Sequence, residues 1–402
     1  MRFFFLLPIV GGLLACSSSS PVLPPVELVE LENKLTIKRL WQRNIGYGAS
    51  DKFLKFTPVI EAQTGYSIDH EGLVLAWNLA DGKVLWQQRF HTSAASAVTV
   101  DKNHLYFGTS RGEVFALNKL NGKQVWKQQL TSEVLSPPVS YARYLVVRTV
   151  DGRIHTLQAK TGKMVWAHDR TMPVLSLRGT STLVVTSDIV ISGADNGKLT
   201  ALALNNGNVL WETTISVPRG RNEIERLIDI DAQPVVKDGV IYVVAYQGRL
   251  AAVKIDSGRT MWVRDISSYA GMIIDSNKIY ISDSDGRLWA LDRFNGATIW
   301  KQEDLLRRSL SRPAFQGRYL VVGDFNGYLH WMTREDGRLT ARTQLGYSLF
   351  DEIDSEEFQY NPDERVFSKP RNILSPPVIR GDIAVAITRA GLLSAYSVRE
   401  KE

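Results

Sequence analysis

Gly112-Glu-Val-Phe-Ala-Leu-Asn-Lys-Leu-Asn-Gly-Lys-Gln-Val-Trp126 is the fullest copy of a pattern that returns along nearly the whole chain. A glycine and a tryptophan fourteen residues apart occur six times, at Gly72/Trp86, Gly112/Trp126, Gly152/Trp166, Gly197/Trp211, Gly248/Trp262 and Gly286/Trp300. A second glycine falls ten residues after the first, at Gly82, Gly122, Gly162, Gly207, Gly258, Gly296 and, in a copy without the tryptophan, Gly337. A fixed internal spacing that recurs every 40 to 50 residues or so marks a repeat protein. The 402 residues therefore read as one closed array and not as the two or three domains that length alone suggests.

Working outward, Pro58, Pro138, Pro234, Pro313 and Pro377 each precede a first glycine by fourteen residues, and Val98, Leu183 and Met272 fill the same place in the other copies. Eight units result, with first glycines at 72, 112, 152, 197, 248, 286, 327 and 391. Each holds short apolar stretches between turn signals, the pattern of a four-stranded propeller blade. Proline suits the opening position because the first residue of a strand tolerates the loss of an N–H. Asp151-Gly152 and Asp285-Gly286 suit the hairpin between strands two and three, where glycine supplies positive φ without steric cost. Pairs such as Leu199/Ala201 and Leu288/Ala290 share one face of strand three by the period of two, and that face must stack on the next blade.

The eighth unit ends near Val398 and Arg399 with no fourth strand, while Leu35-Thr-Ile-Lys-Arg-Leu-Trp41 near the other end looks like an orphan fourth strand. Pairing them closes the ring and removes an exposed edge. The expected fold is all-β: an eight-bladed β-propeller of four-stranded antiparallel blades over residues 35–402, closed by an N-terminal strand.

Before residue 35 the chain runs Met1-Arg2, apolar Phe3 to Val10, then Gly11-Gly12-Leu13-Leu14-Ala15-Cys16, the layout of a secretory signal over 1–15. This stretch is too short to span a bilayer. Leu13-Leu14-Ala15-Cys16 resembles the bacterial lipobox, which implies cleavage before Cys16 and acylation of its sulfur; Ser17 after the cysteine, where aspartate would signal retention, implies the outer membrane. Residues 16–34 then read as the lipidated cysteine and a Ser/Pro tether. Cys16 is the one cysteine, which excludes a disulfide framework and any thiol metal cluster. The net charge of +6 comes from Lys and Arg interspersed with acids, and with an exported chain this argues against a nucleic-acid partner.

Function is expected in the connectors between blades. Counted from each tryptophan position to the next opening position they measure 12, 12, 17, 23, 10, 13 and 36 residues. The three long ones join strand four to the following blade, so all emerge on one face of a rigid scaffold, where function concentrates. The first carries Leu175 and Leu177 beside Arg178, an apolar pair with arginine of the kind that anchors interfaces. The second ends in Asp229 and Asp231; either carboxylate could instead pair with Arg178 inside the molecule. The third, Gly346 to Arg371, is acidic and offers Tyr347, Phe350, Phe358 and Tyr360, the few loop aromatics a polysaccharide-binding propeller would use.

Catalytic and metal-binding patterns are not apparent. The six histidines have no ligand spacing, and His155 and His330 occupy one position of two blades, which repeat geometry explains. No phosphate loop or nucleophile elbow occurs. No catalytic residue, cofactor or metal site is expected.

The run Ala-Leu-Asn/Asp-x-x-x-Gly-Lys-x-x-Trp resembles the tryptophan-docking motif of pyrroloquinoline-quinone (PQQ) dehydrogenases, eight-bladed propellers whose vicinal disulfide this chain cannot form. A quinoprotein enzyme is the alternative reading. The lipobox, eight such blades, the Leu-Ser-Leu-Arg-Gly loop and the Glu-Arg-Leu-x-Asp-x-Asp loop together resemble the BamB family of propeller lipoproteins. That resemblance implies a non-enzymatic scaffold of the outer-membrane β-barrel assembly (BAM) machinery. The scaffold would be lipid-anchored at the periplasmic face of the outer membrane and would bind BamA POTRA domains through Leu175, Leu177, Arg178, Asp229 and Asp231. It would join the other BAM lipoproteins through the complex. Contact with unfolded outer-membrane proteins is left open.

Overall fold

The computed structural model describes residues 23–49, 52–169, 181–194, 196–217, 228–346 and 372–401. They form eight four-stranded antiparallel sheets, each built in chain order except the last. Blade three is typical: Val139–Tyr141, Tyr144–Arg148, Ile154–Gln158 and Met164–His168 lie side by side. In blade eight, Val378–Arg380, Ile383–Ile387 and Leu392–Glu400 are completed by Leu35–Asn44, with Leu35 opposite Glu400 and Asn44 opposite Leu392. The expected closure by an N-terminal strand is what the fold shows.

Burial explains the apolar pattern of each unit. Strands two and three are sandwiched between neighbouring blades and read as continuous apolar runs. Leu145, Val146 and Val147 are all fully buried. Fourth strands face solvent on one side; in blade three Met164 and Val165 are both exposed, because a bulge sets Met164 opposite Leu157 and Trp166 opposite Thr156, while Trp166 is buried. The core clusters span adjacent blades: Ile191 and Leu199 of blade four pack with Ile241, Val243 and Ala251 of blade five. This is the stacking expected of Leu199/Ala201 and Leu288/Ala290, all buried.

The tryptophan works across the blade boundary. Trp126 donates its indole N–H to the Ala159 carbonyl of the next blade at 3.0 Å. It also covers Gly162, where an added Cβ would lie 2.7 Å from the indole and the backbone holds φ at +73°. Glycine is required there twice over, for conformation and for room. The same docking recurs at Trp41 on Gly82, Trp86 on Gly122, Trp166 on Gly207, Trp211 on Gly258, Trp262 on Gly296 and Trp300 on Gly337. Blade seven has Ala341 at this position. Its neighbour, blade eight, has no turn between strands three and four, because those strands come from opposite ends of the chain. A tryptophan there would have no glycine turn to dock on.

Hairpins between strands two and three share a second device. In blades one, six and seven the aspartate three residues before the first glycine accepts backbone N–H bonds from across the turn: Asp69 from Glu71 and Leu73, Asp283 from Asp285 and Arg287, Asp324 from Asn326 and Tyr328. Thr149 of blade three instead donates its hydroxyl to Asp151 and to the Arg153 carbonyl. Blades four and five carry Ala194 and Ala245 instead. In blade five the left-handed residue is Gln247, and Gly248 alone among the first glycines lacks positive φ.

The segment read as tether is docked from residue 24 onward. Arg307 and Arg308 donate to the carbonyls of Pro24 and Val26, and Val26 N–H to Leu306. Leu28 packs on a cluster containing Tyr280, Leu305, Leu310 and Leu320. Arg342 donates to Val29, Asn33 exchanges two hydrogen bonds with the Arg342 backbone, and Lys34 N–H donates to Thr340. The segment thus runs along the outer edge of blade seven.

Candidate partner-binding face

Strand-four-to-next-blade connectors and the hairpins between strands two and three leave the ring on one side, here the connector face. Of the residues expected to form the partner surface, Leu175, Leu177 and Arg178 lie outside the described residues, as do Cys16 and residues 347–371 of the acidic connector. Asp229 and Asp231 are described.

The base of the second long connector is rooted in the core. Ile215, Ile228 and Ile230 belong to the cluster shared by blades four and five. Ile230 fits against Gly193 so closely that an added Cβ would lie 2.4 Å from its methyl group. Ile215 N–H donates to the Gly197 carbonyl, Ile230 N–H to Ala194, and Tyr246 N–H to Asp229 at 2.7 Å. These are the two blades with alanine three residues before the first glycine, and the connector supplies backbone contacts to both hairpins.

The resemblance assigns both Asp229 and Asp231 to the partner surface, a role that calls for exposed carboxylates. Asp229 is in fact 1% exposed, because the returning chain is clasped between hairpins on both sides. Its place is in the loop's foundation. Asp231 is half-buried and near enough to Lys55 to act on its ammonium.

The axis itself carries residues that the repeat analysis passed over. Lys55 Nζ donates to the Tyr269 carbonyl at 3.1 Å. These residues precede blades one and six, so the bond reaches across the centre of the ring. Arg312 donates to Gln233 Oε1 at 3.4 Å. Solvent reaches Lys55, yet desolvation is the largest influence on its ammonium and lowers its pKa; Asp231 opposes that shift and Arg312 adds to it. This combination is expected of a side chain standing in a channel with protein on all sides. Arg312 is likewise depressed by desolvation, and among the described residues no carboxylate lies within ion-pair distance of it. A signal existed: Lys55, Asp231 and Tyr269 all stand three residues before an opening position. Aligning connectors by that position, rather than by length, brings them together. The described residues contain no group of three or more His, Cys, Asp or Glu side chains that could hold a metal ion.

Comparison with known proteins follows the same outline. The family model described as "Outer membrane protein assembly factor BamB" matches residues 70–302. The chain is 42% identical to the protein of that name from Kangiella koreensis over 344 residues, covering 86% of this chain and 88% of the relative. With the Pseudomonas aeruginosa protein it shares 42% identity over 85% of this chain and 90% of the relative. With that of Escherichia coli K12 it shares 34% over 88% and 91%. The crystal structure of BamB from Moraxella catarrhalis superposes with a TM-score of 0.76 at 23% identity, covering 90% of this chain and all of that one. A europium-containing methanol dehydrogenase superposes with a TM-score of 0.68 at 10% identity, over 89% of this chain and 84% of that one; the likeness there is of fold alone. By family model and by identity over most of its length, this chain belongs to the BamB family of outer membrane protein assembly factors.

Proposed function

We propose that the protein is a non-catalytic scaffold of the BAM machinery, anchored to the periplasmic face of the outer membrane through acylated Cys16 and docking BamA POTRA domains on its connector face. The observation that carries this reading is the rooting of the long connector after blade four in the core of blades four and five. A connector whose base is held in the core has less freedom to lose at that base, and such preorganisation lowers the entropic cost of binding. Leu175, Leu177, Arg178 and Asp231 supply the contacts; Asp229, buried at the connector's base, acts as a positioning residue. The other BAM lipoproteins are met through the shared complex, and folding and insertion of outer-membrane β-barrels are assisted without a chemical step.

In vivo cross-linking from Leu177 in the full-length protein tests the surface. An adduct with BamA that Arg178→Glu abolishes is the expected result; absence of any BamA adduct from this position would remove the proposed surface. Cys16→Ser should release the protein from membranes, and its retention there would refute the lipid anchor.

A further inference from the structure

The closing strand begins on the wrong side of the ring for the connectors. Leu35 pairs with Glu400, at the end of strand three of blade eight, and Asn44 pairs with Leu392 just past the hairpin at Gly391. Residue 35 therefore lies on the face of the turns between strands three and four, opposite the connector face. A chain leaving the ring directly at residue 34 would depart on that turn face. Residues 24–34 instead carry it back along the outer edge of blade seven. Lys34 meets Thr340, Asn33 meets Arg342, and Val26 meets Leu306 in the connector between blades six and seven.

This path is held at each end by groups of different character. Toward the connector face, Arg308 donates to the Val26 carbonyl at 3.0 Å while its guanidinium is itself fixed by buried Asp324 at 2.7 Å. In the middle, Leu28 is packed on the blade six and seven cluster. Toward the turn face, Asn33 makes hydrogen bonds of 3.0 and 2.8 Å to the backbone of residue 342. Blade seven is also the blade with no tryptophan to dock, so its outer edge is available.

We infer that residues 24–34 are an orienting strap that turns the membrane anchor from the turn face to the connector face, so that the connector between blades six and seven lies in the sector of the propeller next to the lipid surface. The inference rests on the proposed acylation of Cys16. Pro24 stands eight positions beyond Cys16, a reach of at most about 26 to 29 Å when fully extended. Leu35 stands nineteen positions beyond it, which would allow about 63 to 68 Å. Docking the strap thus shortens the leash to less than half and moves its origin to the other side of the ring.

The test uses full-length protein purified from membranes and reconstituted into phospholipid vesicles that contain an energy-transfer acceptor on the headgroup. Cys16 is the single native cysteine, so in the acylated protein an introduced thiol is the one that takes a donor dye. Asp304→Cys places the dye on the connector face, and Ala297→Cys places it at the other end of the same outer strand; both positions are exposed. Transfer from 304 should exceed transfer from 297. In the doubly substituted Leu28→Asp/Asn33→Ala background, with faster amide exchange at Val26 and Lys34 confirming release, the difference should vanish or invert. Equal transfer from both sites in the strapped protein overturns the inference, as does a difference that survives release. Flotation of the vesicles separates the two readings: protein that fails to float removes the lipid anchor and the strap's orienting role with it. Protein that floats but transfers equally removes the strap alone.

Discussion

Trp41 is the residue on which ring closure turns. It is 9% exposed, meets Trp77 edge-on at 5.1 Å, donates to the Leu79 carbonyl at 2.8 Å and covers Gly82. Truncating a buried aromatic of this kind costs about 3 to 5 kcal/mol. Trp41→Ala should lower the denaturant midpoint accordingly, whereas Trp41→Phe should cost less; an unchanged midpoint for the alanine variant would show that closure does not depend on this dock. His155 gives a second prediction. It is 2% exposed, with Nε2 near the hydroxyls of Thr131 and Thr149 at 3.3 and 3.2 Å. Burial pushes its imidazole below the ordinary value of 6.5, against the opposing pull of Asp151 and Asp169, with Arg153 adding to the depression. The folded state therefore binds this proton less readily than the unfolded chain does. No penalty exists well above pH 6.5, and it grows as pH falls through that value toward the folded pKa. His330 is depressed for the same reason, with Asp324 opposing. Thermal stability should decline from about pH 7.5 to 5.5, and His155→Gln should flatten part of that decline. A decline identical in the variant would assign the acid sensitivity elsewhere.

At the scale of elements, the connector after blade four behaves as part of the core. Ile230 is fully buried against Gly193 and Ile228. Ile230→Ala should cost about 2 to 5 kcal/mol and should also weaken capture of BamA, because the base that aims the loop is loosened. Normal capture by a measurably destabilised variant would separate the loop's foundation from its binding role. Much of this architecture was legible in the sequence, since glycine, proline and tryptophan sit where backbone sterics and inter-blade packing permit little else. The number and order of the blades and the closure through Trp41 follow from that spacing. What escaped the reading shares one cause. Asp229 is assigned to the partner surface by the resemblance, and only the approach of two hairpins from different blades buries it. Lys55 and Tyr269 join across the axis from connectors more than two hundred residues apart. The common offset of Lys55 and Tyr269 from an opening position is the one trace of that pair in the repeat, whereas the strap forms hydrogen bonds to residues roughly three hundred positions away and lies outside the repeat altogether. The missing tryptophan of the seventh unit was visible as a gap, but its reason is topological and appears only once blade eight is seen to have no turn to receive it.

For the whole molecule, the ring's last join is also its most distant in sequence. Strands Leu35–Asn44 and Leu392–Glu400 are near opposite ends of the described chain, so their pairing carries the largest contact separation in the fold. During synthesis and export the first strand has no partner until the last one arrives. Closure entropy rises only slowly with loop length, so the delay is set by waiting and not by a prohibitive thermodynamic cost. A chain shortened by removal of residues 392–402 should accordingly leave Leu35–Asn44 as a bare edge, cleaved early by protease within that strand, while strands of blades two to five stay protected. Protection of 35–44 in the shortened chain would contradict this order of events. Joining first strand to last makes the propeller a check on its own completion: a chain that stops short cannot lock, and its unpaired edge marks it for proteolysis.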